Sequence, residues 1–151
     1  MLFDLSWSNN KANATDFNSH AAEFIYKFPS MISNKLGNLC VYGYDQVSVW
    51  LYEHYNDSVV FLKDIDDLKN FDNQNCKVLY VSKNIDKDYS AIAVANKHKI
   101  TSISMNENFI DNGGLILMQA GRRNFDLIAN KDKIKLYDIK FDYMISGLLV
   151  N

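Results

Sequence analysis

The residues able to do chemistry are few in this chain, and they are scattered. Three histidines, His20, His54 and His98, stand on separate segments. No HxxxH, HExxH or CxxC spacing links them to one another or to cysteine, so zinc chemistry lacks its ligand set. Asp64, Asp66 and Asp67 form the densest acidic group, just after an apolar run. At the carboxyl end of a strand such carboxylates can hold magnesium; at the start of a helix they complement the dipole. The helix start is the better reading. A phosphoacceptor site would also need an aspartate directly after the third apolar run, where Val81-Ser82-Lys83 stands. Catalysis through this acidic group is the minor alternative. No Ser/His/Asp or Cys/His set can be placed. Binding therefore outweighs catalysis, and no metal or cofactor is expected.

Gly113-Gly114 does not form a phosphate cradle, because it leads into a strand and not into a helix N-terminus. Its expected role is a turn with positive φ at one of the two. Arg122-Arg123 marks a hairpin tip and has the geometry to grip a carboxylate bidentately. Cys40 lies inside the first apolar strand and Cys76 immediately before the third. Strand order decides whether they meet. If it brings them together, a disulfide across that interval adds about 3.5–4 kcal/mol in the chain-entropy account. Otherwise they are two buried thiols.

The elements that position these residues follow from the apolar pattern. Phe17, Ala21, Phe24, Ile25 and Phe28 repeat at helical spacing behind a candidate cap at Asp16. Pro29 ends or kinks that helix, and Met31, Ile32 and Leu36 extend its stripe towards a stop at Gly37. Leu39–Tyr42, Ser58–Leu62, Lys77–Ser82 and Ile100–Ser104 read as short buried strands. Between them lie helices carrying Val47, Trp50, Leu51 and His54 behind Asp45, then Ile65, Leu68 and Phe71, then Tyr89, Ile92, Ala93 and Val94 behind Asp86 or Asp88. Alternation of this kind implies a mostly parallel sheet with helices on both faces. Leu115–Ala120 and Asn124–Ala129 flank Gly121-Arg122 as a hairpin, one strand of it antiparallel to the rest. Ile134–Leu149 is dense enough in apolar residues to pack back as a helical tail.

Residues 1–15 read as a flexible arm and residues 16–151 as one α/β domain. The composition is globular, 48% hydrophobic and 23% charged. The net charge of −2 excludes a general attraction to nucleic acid or to anionic membrane. No run reaches the roughly 18 apolar residues of a membrane span.

Several segments, in order, resemble the YfiR family of small periplasmic regulators. Ala22–Met31, AEFIYKFPSM, is similar to the family's first helix. Leu39–Gly43 followed by Tyr44-Asp45 is similar to its CVLGDD strand and turn. Asn75–Ser82, NCKVLYVS, is similar to its CHVLFIS strand. Thr101–Gly114, TSISMNENFIDNGG, is similar to its LTVGDSPGFAERGG segment, and Asn124–Leu127 to its RFEI. The match spans about Ala21 to Met144. It departs at Lys77, Leu117 and Lys140-Phe141, and at a hairpin tip shorter by about two residues.

The resemblance implies a non-catalytic periplasmic protein whose export signal has been removed. It implies that the protein binds the periplasmic domain of an inner-membrane diguanylate cyclase and represses it, controlling cyclic di-GMP and biofilm formation. Redox state or an outer-membrane lipoprotein would relieve the repression, and a homodimer is expected. It also implies a structural Cys40–Cys76 bond, with Gly43, Asp45, Phe109, Gly113, Gly114 and Phe125 setting the motif turns and strands. Tyr42, Tyr44, Arg122 and Arg123 are the candidate ligand or partner surface. The alternative is a small-molecule sensor with a pocket near Gly43, Ser82 and Met105, lined by Tyr42, Tyr44 and Phe109.

Overall fold

A computed structural model describes residues 17–70, 75–84, 89–121, 125–142 and 149–150. The expectations for the arm at residues 1–15, for Asp86 and Asp88, and for Arg122 and Arg123 lie outside the described residues. The chain forms helix α1 over 17–27 and runs on into a single 3-10 turn, Phe28–Met31, with Pro29 at its start. Next come β1 Asn38–Tyr42, α2 Gln46–Tyr55, β2 Val59–Leu62, α3 Ile65–Lys69 and β3 Cys76–Val81. They are followed by α4 Ser90–Lys97, β4 Thr101–Ser104, β5 Ile116–Ala120, β6 Phe125–Ala129, α5 Lys131–Leu136 and β7 Leu149–Val150.

The strands form one seven-stranded sheet in the order β2-β1-β3-β4-β5-β6-β7. The first five run parallel. β6 returns antiparallel to β5, and β7 pairs parallel to β6. Strands buried on both faces read as short continuous apolar runs, which is why all four parallel strands of the alternating part stood out in the sequence.

Alternation along each strand sorts the core into two halves. Leu39, Val41, Val78, Tyr80, Ile103 and Met118 face α1 and α2, meeting Ala21, Ala22, Ile25, Phe28, Val47 and Leu51. Cys40, Leu79, Val81 and Leu117 face the other way, against Leu68 of α3 and Ala91, Ile92 and Ala95 of α4. Helices thus cover both faces, as the pattern predicts.

Three local expectations change. The helical stripe does not continue to Leu36, which is 92% exposed. The chain turns extended at Ile32 (φ −98°, ψ 114°), so helical spacing no longer decides which side chains point inward. On α4 the inward residues are Ala91, Ile92 and Ala95, and Ala93 is exposed. Among its described residues the tail is helical over Lys131–Leu136, bridges Phe141 to Ile32 and adds a strand at Leu149–Val150. Asp138, at φ +53°, follows that helix, and Lys140, Phe141 and Asp142 are drawn into backbone pairing with residues 31–33.

Candidate functional site

Parallel strands deliver all their carboxyl ends to one edge of the sheet, where ligands of open α/β folds bind. Here the loops after β1, β3 and β4 meet. Their geometry begins with Asp45, a buried residue that caps α2. Its Oδ1 accepts the backbone N–H of Ser48 at 2.8 Å, while the Ser48 hydroxyl accepts the N–H of Asp45 at 2.7 Å, closing a reciprocal capping box. The second carboxylate oxygen accepts the Tyr80 hydroxyl at 2.6 Å and the Lys83 N–H at 3.0 Å. One carboxylate therefore ties the end of β1, the start of α2 and the end of β3. Burial, then the Asp45 charge, then the hydrogen bond to it, raise the Tyr80 hydroxyl well above its ordinary pKa.

A repeated Ser-x-Asn unit orders the same edge. Ser82 and Ser104 are fully buried at the strand ends. Their hydroxyls accept the N–H two residues on, from Asn84 at 3.2 Å and Asn106 at 3.1 Å. The Asn84 amide then donates to the Tyr44 carbonyl, and the Asn106 amide to the Lys83 carbonyl, both at 3.0 Å. Each loop is stitched to the loop of the neighbouring strand. This unit was legible as Ser82-Lys83-Asn84 and Ser104-Met105-Asn106, but only strand adjacency gives the repetition meaning.

The loops enclose an open hollow of about 260 Å³, lined by Lys83, Met105, Asn106, Glu107 and Asn108. Beneath it a crevice of about 10 Å³ touches Ser82, Tyr89, Ser104 and Phe109, too small for more than one water. The predicted pocket is thus displaced. Met105 lines the hollow, but Tyr42 packs against the core and the Tyr44 side chain stands 78% exposed outside it. Gly43 adopts φ +95° and makes the turn that sends Tyr44 outward.

Phe109, Gly113 and Gly114 form one device. The Gly113 N–H reaches the Ile110 carbonyl at 3.0 Å and the Gly114 N–H reaches the Phe109 carbonyl at 2.9 Å, with Gly113 at φ +100°. This is a Schellman ending of a single helical turn. The Phe109 ring lies against Gly114 so closely that an added Cβ would overlap it. The Gly113 carbonyl receives Lys133 Nζ at 2.9 Å and the Asn96 amide at 3.0 Å, tying α4 and α5 to the turn. Phe125 begins β6 and packs with Phe17 and Phe24 of α1, ring centroids 5.7 Å apart in each pair.

Cys40 and Cys76 form a disulfide, their Cα atoms 5.7 Å apart. β1 and β3 are neighbours, and a register shift between Asn38 and Leu39 brings Cys76 to the Cys40 face. By simple alternation with Val78 and Tyr80, Cys76 would point to the opposite face.

The acidic group is a helix start. Asp64 accepts the Asp67 N–H at 3.0 Å, and Asp67 accepts the Lys63 N–H at 2.9 Å. Among the described residues no three His, Cys, Asp or Glu side chains gather as a metal site. His54 stacks on Trp50, and His98 ends α4. At the carboxyl edge Asp45, Ser82, Asn84, Ser104 and Asn106 are engaged in holding loops, an arrangement suited to presenting a surface.

Among curated proteins none is similar to this chain. A solved structure, a conserved domain protein from Vibrio cholerae O1 biovar El Tor str. N16961, shares the fold with a TM-score of 0.61 and 12% identity. The match covers 88% of this chain and 59% of that one, so the chain spans little more than half of that structure's length. The YfiR/HmsC-like family model matches residues 18–145, and across them run the segments of the carboxyl edge, both cysteines and the glycine turn. The chain belongs to the YfiR/HmsC-like family.

Proposed function

We propose that this protein is a periplasmic regulator that binds the periplasmic domain of an inner-membrane diguanylate cyclase and holds the enzyme inactive. Family membership carries this reading. The Cys40–Cys76 bond adds to it, since such bonds persist in oxidising compartments. So does a carboxyl edge whose polar groups support loops. Repression of this kind needs tighter binding to the inactive state of the partner than to the active one. Release by redox change or by an outer-membrane lipoprotein would lower cyclase occupancy, raising cyclic di-GMP and biofilm formation. A homodimer fits the same scheme.

The contact surface proposed is Tyr44 and Tyr42 with the hairpin-tip arginines Arg122 and Arg123. Tyrosine and arginine are among the side chains that most often anchor interfaces, and Tyr44 stands exposed. Co-purification with the periplasmic domain of a neighbouring membrane-bound cyclase tests the reading. A complex weakened roughly tenfold or more by Tyr44→Ala is expected. No complex, together with unchanged cyclic di-GMP on deletion, would overturn it.

The hollow beside Lys83 and Glu107 favours a second reading, a small-molecule sensor on the same fold. A saturable rise in melting temperature across a metabolite panel supports it, and Lys83→Ala should remove that rise.

A further inference from the structure

A second hollow lies between the first turn of α1 and one side of α2. Its volume is about 220 Å³, and Asn18, Gln46, Val49, Trp50 and Glu53 line it. The four α2 residues fall at i, i+3, i+4 and i+7, so they share one stripe of the helix. That stripe is not the buried one, which consists of Val47, Ser48 and Leu51.

Trp50 is held firmly. The His54 ring stacks on it at 3.8 Å, only 12° from parallel, and His54 Nδ1 lies 2.9 Å from the Trp50 carbonyl oxygen. Tyr55 packs at 5.7 Å, itself stacked on Tyr26 of α1 at 3.7 Å. Trp50 thus lines the hollow while its ring packs against those of His54 and Tyr55.

The lining chemistry is specific. Asn18 and Gln46 each offer a donor and an acceptor, and Glu53 offers acceptors alone. The indole and Val49 offer apolar surface. An anion would meet Glu53 with no cation among the lining residues. An organic cation would use Trp50 and Glu53 but leave both amides idle. A ring carrying hydroxyls on its rim and C–H groups on its face uses all five. The volume lies below the roughly 300 Å³ at which drug-sized pockets begin, so the hollow itself suits a group of about one ring.

We propose that this hollow is a subsite for one neutral pyranose ring of a saccharide, with Trp50 as the platform and Asn18, Gln46 and Glu53 binding hydroxyls. The subsite is independent of the cyclase reading. The test is fluorescence titration of a Trp7→Phe variant, in which Trp50 is the sole indole. The probes are cellobiose and N,N′-diacetylchitobiose, with sorbitol and choline as controls. A saturable change in emission with either disaccharide, weakened roughly tenfold by Glu53→Ala and by Gln46→Ala, is expected. Both substituted positions are exposed, so these variants should melt at the parent temperature. Three results overturn the proposal: the same response to sorbitol, titration curves undiminished in both variants, or saturation by choline with none by either disaccharide.

Discussion

Tyr80 and Asp45 show how one buried pair sets local behaviour. The Tyr80 hydroxyl keeps its proton well above the ordinary 10.0 of tyrosine. Below that pH folded and unfolded chains both hold the proton, and this group adds no pH dependence. Above it the unfolded chain releases its proton first, so stability falls as pH rises. Urea denaturation across alkaline pH should therefore show a decline that Tyr80→Phe lessens, while at neutral pH the same variant loses about 1.5–3 kcal/mol with the hydrogen bond to the carboxylate. A second residue-scale expectation concerns Lys99. It ends α4 at φ +56°, with its N–H on the Asn96 carbonyl and the Ile100 N–H on that of Ala95, a Schellman ending without glycine. The left-handed region costs an L-residue about 1–2 kcal/mol, and glycine gives back part of the difference in the unfolded state. Lys99→Gly should gain about 0.5–1 kcal/mol, read as a rise of about 1–4 °C in melting temperature. Gly114→Ala should do the opposite, costing about 1–3 kcal/mol, because the Phe109 ring against Gly114 is buried and has nowhere to move. The sequence makes Gly113-Gly114 visible as a turn. It hides Lys99 and Asp138, because nothing in a lysine or an aspartate announces a positive φ.

At the scale of elements, the disulfide joins β1 to β3 across the point where the strand order reverses. Reduction and alkylation of Cys40 and Cys76 should lower the unfolding free energy by about 3–4 kcal/mol. The urea m-value should rise as well, since the released unfolded chain exposes more surface. The hairpin carries a different lesson. Its strands were legible because apolar runs flank Gly121, and the register Ala120↔Phe125 closes it tightly. The tail was not legible as strand. Its residues at 134–149 are apolar enough for either state, and short apolar runs do not distinguish helix from strand by period. Pairing of Phe141 with Ile32, and of Leu149–Val150 with β6, is a long-range choice.

At the scale of the whole molecule, the segment after α1 and the tail after α5 are clamped together. The Asn34 amide donates to the Asp138 carbonyl at 2.6 Å, its oxygen accepts the Lys140 N–H at 3.0 Å, and the Ser33 N–H reaches the Lys140 carbonyl at 2.8 Å. Asn34→Ala should cost about 1 kcal/mol and speed amide exchange at Lys140 ahead of the sheet, which hydrogen-exchange measurements would resolve. The sequence by itself determined the alternating strands and helices, the parallel sheet, the hairpin and the segments of the family, because burial on two faces writes itself into apolar spacing. Tertiary structure alone decided that Cys40 and Cys76 meet, since that depends on β1 lying beside β3 and on a one-residue shift in register. It also decided that Tyr44 stands exposed outside the hollow, that two Ser-x-Asn units stitch neighbouring loops, and that Asn18 and Trp50 line one hollow. Each of these depends on how segments far apart in the chain are placed, and side-chain periodicity carries no record of which distant segments become neighbours.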